Sequence, residues 1–156
     1  MQGGSGAAEW LPYLALLLVV IGWFVANSQA NARETRKEAR SLIDSAKNRV
    51  IEIAADAVAY LCDGKADLAP SIKASLDVLE VELSRLPHFN SKSSPLLRRL
   101  MAFQDAVTGG DFETAGRPER NHQSAEVATV WATRTALLAE LEKQFRAHYL
   151  GGGSSP

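Results

Sequence analysis

Four arginines and one histidine come closest to a ligand-binding pattern in this chain. Two of the arginines are adjacent, and the other two lie in the turn-rich segment 111–122 (DFETAGRPERNH) beside the histidine. Guanidinium groups offer paired donors to a phosphate or carboxylate, so this group predicts binding of a small anionic ligand or a protein partner. The competing interpretation is that these side chains are solvated or paired with nearby acids. The residues are Arg98, Arg99, Arg117, Arg120 and His122.

No catalytic or metal-binding pattern accompanies this group. His88, His122 and His148 are never three or four residues apart, so no single helix could clamp a metal with two of them. The only cysteine, Cys62, excludes an internal disulfide and stands beside Asp63, which does not activate a thiol. We therefore expect no enzymatic activity, no metal and no cofactor.

A long apolar run near the N-terminus sets the predicted location of the chain. Residues 1–32 contain no Lys or Arg, and within them Trp10–Ala26 (WLPYLALLLVVIGWFVA) carries no charged side chain. Seventeen residues at about 1.5 Å each span about 26 Å, the short end of what crosses a bilayer. We predict one transmembrane helix over residues 10–28, preceded by a short extracytoplasmic segment, 1–9.

Charge on one side of this run predicts its orientation. The positive-inside rule places the cationic flank in the cytoplasm, and with it the domain at 29–150. A cleavable signal peptide is the main alternative, because Ala30-Asn31-Ala32 has a small-x-small form; but positive charge is missing before the run and dense after it, which opposes cleavage. The Ala- and Arg-rich composition suggests a bacterial inner membrane. The topology-setting residues are Arg33, Arg36, Lys37 and Arg40.

The predicted transmembrane helix has features of an anchor that packs against a second copy. Trp10 and Tyr13 suit one membrane interface, and Trp23 approaches the other. Gly22 and Ala26 form a small-xxx-small pair, the spacing that lets two helices approach closely. We expect a homo-oligomer.

The remainder predicts an all-α fold in which the transmembrane helix continues into a small bundle of about four helices. No Gly or Pro interrupts residues 25–63, and apolar side chains then recur at helical spacing as far as Phe145. The first and fourth predicted helices are long and the second and third are short, which fits an up-down-up-down arrangement with short connections. GGGSSP, residues 151–156, predicts a flexible tail. The predicted core includes Ile53, Leu76, Leu83, Leu100, Trp131 and Leu141.

Arg134 interrupts the apolar stripe of the last predicted helix. A charged side chain that faces a core is costly unless it is paired, so we expect Arg134 to have a partner or the bundle to be open there.

Charge balance narrows the classes of partner. All 17 Lys and Arg residues and all but one of the 18 acids follow residue 32, so the domain is nearly neutral and no nucleic-acid polymer is expected. The leading prediction is a membrane-anchored helical interaction or scaffold protein at the cytoplasmic face, with the bilayer, a second copy and a protein as partners. The alternative is a signal-gated effector whose oligomerised membrane helices perturb the bilayer; against it, the run has no polar residue to line a pore.

Overall fold

The computed structural model describes residues 6–86, 89, 91, 93–114 and 116–150, with side chains from Tyr13 onward except those of Ala32 and Leu150. Throughout this part all regular structure is helical, which confirms the all-α prediction. A 3-10 turn (Ala66–Leu68) precedes the second helix, and a π-helical turn (Arg146–Leu150) follows the last. The helices are α1 (Gly6–Cys62), α2 (Ala69–Ser84), α3 (Pro95–Thr108) and α4 (Ala125–Phe145). The Trp10 side chain, His88 and the predicted tail lie outside the described residues.

The chain divides into two units, Met1–Glu38 and Ala39–Pro156. From Tyr13 onward, α1 is long and apolar enough to cross a membrane: an 18-residue window within it has a mean hydropathy of 1.7, and no residue of that window is buried. This supports the prediction of one apolar helix of transmembrane length.

The second unit contains the hydrophobic core, to which all four helices contribute, and the apolar stripes of the first three follow the predicted spacing. Each stripe follows the three- and four-residue spacing that keeps side chains on one helical face. α1 runs without a break from the apolar run into this stripe, as the lack of Gly and Pro over residues 25–63 predicts. The buried stripe residues are Ile43, Ala46, Val50, Ile53, Ala57 and Tyr60 in α1; Ile72, Leu76, Leu79 and Leu83 in α2; and Leu96, Leu100, Phe103 and Val107 in α3.

Two long-range ion pairs show how the helices of this unit alternate in direction. Arg49 pairs with Glu82 in the last turn of α2 at 3.1 Å, and Lys47 pairs with Glu142 in the last turn of α4. The other end of α1 meets the segment that leads into α4, through Tyr60. Both α2 and α4 therefore run antiparallel to α1, as an up-down-up-down bundle requires.

Local capping chemistry sets the helix ends. The hydroxyls of Ser94 and Ser124 each accept a hydrogen bond at 3.3 Å from the backbone N–H three residues on, so both act as N-caps. α3 ends at Gly109, where an added Cβ would collide with the carbonyl of Asp105. Ser94 followed by Pro95, and Gly109 followed by Gly110, are pairs typical of a helix start and a helix end.

The predicted core position of Trp131 is wrong. The buried residues of α4 are Val127, Val130, Leu137, Leu141 and Phe145, with Glu140 beside them, and Trp131 is 39% exposed. One residue turns a helix by about 100°, so a stripe that passes through Val130 turns its neighbour outward. Leu138, seven residues after Trp131 and on the same helical face, is only partly buried against the core.

Candidate functional site

The apolar part of the first unit is uncovered. Every large apolar side chain described between Tyr13 and Val25 is at least 49% exposed. Soluble proteins rarely expose a contiguous apolar surface of this length, which usually marks contact with a membrane or another protein. This stretch is therefore a candidate surface for contact with lipid or with another chain.

The surface of this helix at Gly22 is open, because no side chain covers the backbone there. A Cβ added at Gly22 would meet no atom within 4 Å, so the surrounding space is open. Ala26, one turn later, continues the same face with another small side chain. A second helix could approach the backbone closely along this line. The aromatic residues predicted at the interfaces, Tyr13 and Trp23, are 71% and 68% exposed.

The four topology-setting residues have different surroundings. Arg33, Arg36 and Lys37 are exposed and form no ion pair with any residue that the structure describes. Arg40 belongs to the second unit, where it pairs with Asp44 at 3.1 Å and with Glu142 at 3.2 Å. Its guanidinium also lies 5.1 Å from the centre of the Phe145 ring. Arg40 therefore has a structural role besides its charge, which its spacing of four residues from Asp44 could have indicated.

Arg117, from the predicted ligand-binding group, packs against the end of α1. Its guanidinium carbon lies 3.4 Å from the centre of the Tyr60 ring, and its Nη2 donates a hydrogen bond to the Tyr60 carbonyl oxygen. The Tyr60 hydroxyl in turn accepts from the backbone N–H of Glu113 at 2.8 Å. These contacts tie two residues of the segment 111–122, Glu113 near its start and Arg117 in its middle, to one aromatic residue.

Arg120 is also engaged within the bundle. It pairs with Asp111 at 2.9 Å and with Glu126 at 3.5 Å, and its backbone N–H donates to the Leu61 carbonyl at 2.8 Å. The backbone is in the left-handed region at Glu113 (φ 62°), where a non-glycine residue is uncommon. The segment is a loop, as predicted; Arg117 and Arg120 contact the end of α1, while most of its other described residues are exposed.

The structure brings together only part of the predicted ligand-binding group. Arg117, Arg120 and His122 share the end of the bundle where α1 finishes, and the exposed His122 lies 3.9 Å from Asp63. Arg98 and Arg99 are exposed near the start of α3, roughly 15 Å along that helix from its far end. Ligand binding by these five residues stays a prediction, and no shared pocket joins them among the described residues.

A second surface, missed by the sequence analysis, lies on α4. The Arg134 guanidinium carbon sits 5.2 Å from the centre of the half-exposed Trp131 ring, and the Arg134 Nε is buried without a hydrogen-bond partner. The expected partner of Arg134 is thus absent from the described part of the chain. Such a buried donor costs about 1–3 kcal/mol unless an acceptor reaches it. Recognising Trp131 as exposed would have required the correct helical register.

The surface around Trp131 and Arg134 extends towards α1. From the Lys47–Glu142 pair, an antiparallel register predicts that Ile51, one turn later in α1, lies on the same side as Leu138, one turn earlier in α4. Ile51 is 41% exposed, and Leu138 is partly buried against the core. We call Ile51, Trp131, Arg134 and Leu138 the α4 surface.

Reactive groups are sparse in the described chain. No cluster of three or more His, Cys, Asp or Glu residues there is arranged to hold a metal ion. Cys62 is half-buried, and burial, with a smaller contribution from Asp63, raises the pKa of its thiol and so lowers its reactivity. Comparison of the chain with protein-family models, with curated proteins and with solved structures finds no match.

Proposed function

We propose that this chain is a membrane-anchored helical interaction protein that self-associates. Its bundle lies at the cytoplasmic face of a membrane, and the membrane is the inner membrane of a bacterium. The observation that carries the proposal is the uncovered apolar helix between Tyr13 and Val25. Burying a large apolar side chain is worth about 1.5–3 kcal/mol, so covering this helix is worth on the order of 10 kcal/mol. A lipid bilayer supplies that cover along a whole helix.

The cationic flank supports the orientation. Arg33, Arg36 and Lys37 are exposed and unpaired within the described chain, so their charge is available to anionic lipid head groups. Positive charge on this side of the helix favours a cytoplasmic bundle. The same residues attract the cytoplasmic leaflet by roughly 1 kcal/mol each.

Self-association is assigned to the face of Gly22 and Ala26. The open space at Gly22 means that a larger side chain there disturbs nothing in its own chain. We expect Gly22→Ile to lower the oligomer mass that mass photometry measures in detergent, because its bulk separates the helix backbones. The matched control is Val20→Phe, which adds bulk two residues away, about 200° around the helix. A monomeric parent protein, or equal masses for both variants, would contradict this assignment.

Partner docking is assigned to the α4 surface rather than to the loop arginines. Arg117 and Arg120 already have internal partners, whereas Arg134 keeps a buried Nε without one. An exposed Trp beside an Arg is a frequent combination at the centre of protein interfaces. The chemistry fits a partner segment that brings a carboxylate to Arg134 and an apolar side chain to Trp131.

Photocrosslinking in cells tests this docking surface. A photoreactive amino acid at position 131 is expected to give a discrete crosslinked product, and the same amino acid at the exposed Val78 of α2 is not. Arg134→Glu should remove the product by charge repulsion, while Arg99→Glu, on the exposed side of α3, should leave it. Retention of the product in Arg134→Glu would contradict the assignment. Leakage of vesicles containing the parent chain would instead favour a membrane-perturbing effector.

A further inference from the structure

We propose that the second unit binds a single hydrocarbon chain, that of a fatty acid or of a phospholipid, in a cavity at one end of its bundle. The cavity has a volume of about 260 Å³ and lies where the end of α2, the start of α3 and the end of α4 meet the first turns of α1 in this unit. Nothing in the docking or self-association proposed above uses it.

The walls of the cavity are those of a hydrocarbon site. They are formed mainly by apolar side chains of the core, which expose between 1% and 8% of their surface: Ile43, Leu86, Phe89, Leu96 and Phe145. Apolar walls of this kind are typical of small-molecule sites. Water gains few hydrogen bonds against them, so an apolar occupant is favoured over solvent.

The rim of the cavity is polar. The hydroxyls of Ser91 and Ser93 lie 3.1 Å apart at the surface, and His148, which stacks edge-on against Tyr149 at 4.9 Å, stands at the mouth. Apolar walls beneath hydroxyl and imidazole groups match a molecule with a hydrocarbon body and an oxygen-containing head. The match favours an amphiphile over a plain hydrocarbon.

The volume sets the length of chain that enters. A dry apolar cavity of about 150 Å³ can hold benzene, and a group of about water size takes up roughly 30 Å³. The present cavity therefore holds roughly nine such groups, the body of a ten-carbon acid or one section of a longer lipid chain.

The membrane anchoring proposed above makes the bilayer one source of the hydrocarbon chain. Ile43 is close to the start of the second unit, and only residues 27–38 separate Ala26 from that unit. A phospholipid as the source of the hydrocarbon chain rests on the proposed membrane anchoring, whereas a free fatty acid does not.

Photoaffinity labelling of the full chain in phosphatidylcholine nanodiscs tests the proposal. One arm adds decanoic acid that carries a diazirine on its chain, and the other builds nanodiscs with a phosphatidylcholine that carries the diazirine in an acyl chain. Labelled positions are read by tandem mass spectrometry. We expect saturable label at residues 89–96 and 141–149 in at least one arm, displaced by an excess of unlabelled decanoic acid in the first.

A rim variant makes the result specific. Ser91→Trp puts an indole at the mouth without changing the core and should reduce this label at least tenfold. Ser71→Trp, at an equally exposed serine near the start of α2, should leave it unchanged. Circular dichroism checks that both variants keep the parent helicity.

Each outcome decides a different point. Label in the acid arm alone supports the site with a free amphiphile as its ligand, and label in the lipid arm supports a bilayer source. No label at the cavity in either arm, or equal label in Ser91→Trp and the parent, overturns the proposal. Failure of the lipid probe to label residues 13–25 overturns the membrane anchoring instead, and the acid arm still decides the cavity.

Discussion

Arg117 shows how one side chain can hold a loop against a helix end. It offers a charged donor to the Tyr60 carbonyl and a cation to the Tyr60 ring, 3.4 Å from the ring centre. A hydrogen bond with a charged partner contributes about 1.5–3 kcal/mol, and a cation–π contact adds about 0.5–1 kcal/mol. We predict that Arg117→Ala lowers the free energy of unfolding by about 2–3 kcal/mol, measured by urea unfolding in detergent.

The control for this prediction is another arginine of the same predicted group. Arg99 is exposed on α3, and Arg99→Ala should change the unfolding free energy by no more than about 0.5 kcal/mol. If the two variants prove equally stable, the contacts with Tyr60 contribute nothing to the fold. The guanidinium of Arg117 would then be available for a ligand.

The ionisation of Glu142 makes the stability of the bundle depend on pH. The hydrogen bond from Lys47, with smaller contributions from the Lys47 charge and from Arg40, lowers the pKa of Glu142 from 4.5 to about 2. A carboxyl whose pKa is lower in the folded state stabilises the fold above the unfolded pKa and loses that contribution as the pH falls towards the folded pKa. The stabilisation by Glu142 is therefore complete above about pH 4.5 and fades between about pH 4.5 and 2.

We predict that Glu142→Gln is less stable than the parent chain by about 1–2 kcal/mol at pH 7, after allowance for partial exposure. Thermal unfolding followed by circular dichroism at a series of pH values should show the difference shrinking below pH 4.5. Asp77→Asn, at an exposed carboxylate of α2 that forms no ion pair within the described chain, should track the parent at every pH. A constant gap across the series would mean that Glu142 acts through packing and not through its charge.

At the scale of the elements, the stripe of α2 is a direct consequence of spacing. Leu83 is fully buried, and Val81, two residues earlier, is 56% exposed. Removing a buried leucine side chain loses its transfer free energy and leaves a cavity, which costs about 2–5 kcal/mol. We predict this loss for Leu83→Ala and less than about 0.5 kcal/mol for Val81→Ala, in urea unfolding. A loss below about 0.5 kcal/mol for Leu83→Ala would mean that this face of α2 is uncovered in solution.

Helix ends and stripes could be predicted because their causes are local. The Ser94 and Ser124 caps act over three residues, and the stripes of the first three helices repeat every turn. The α4 stripe could not be placed, because Arg134 occupies a position between Val130 and Leu137 where a buried apolar residue would have fixed the register. An alternative stripe through Trp131 fits the same residue types when Arg134 is taken as an interruption.

The contacts of Arg117 and Arg120 could not be predicted from the neighbouring sequence, because their partners are far away along the chain. Arg117 contacts Tyr60 across 57 positions of the chain, and Arg120 reaches Leu61 at the same helix end. Nothing in the composition of the segment 111–122 distinguishes a packed loop from a solvated one, because both use Gly, Pro and charged residues. Only the three-dimensional pairing shows that two of the five predicted residues have structural partners.

At the scale of the whole molecule, the proposed orientation in the membrane rests on the positive charges: they are absent before the apolar helix and dense after it. Residues 1–32 contain no Lys or Arg, and Arg33, Arg36 and Lys37 are exposed just beyond the apolar helix. Cationic residues within about 15–20 positions of a transmembrane helix set its orientation, whereas acidic residues contribute little. The bundle should therefore stay in the cytoplasm.

We predict that green fluorescent protein fused after Leu150 is fluorescent in bacterial cells and that alkaline phosphatase fused there is inactive, because the first folds in the cytoplasm and the second needs the periplasm. The matched variant replaces Arg33, Arg36 and Lys37 by Gln and adds three lysines before Trp10, which reverses the charge asymmetry. Arg40 stays, since its pairs with Asp44 and Glu142 belong to the bundle. The variant should lose fluorescence and gain phosphatase activity. Phosphatase activity in the parent fusion would contradict a cytoplasmic bundle. The same result for the parent and the variant would show that these charges do not set the orientation.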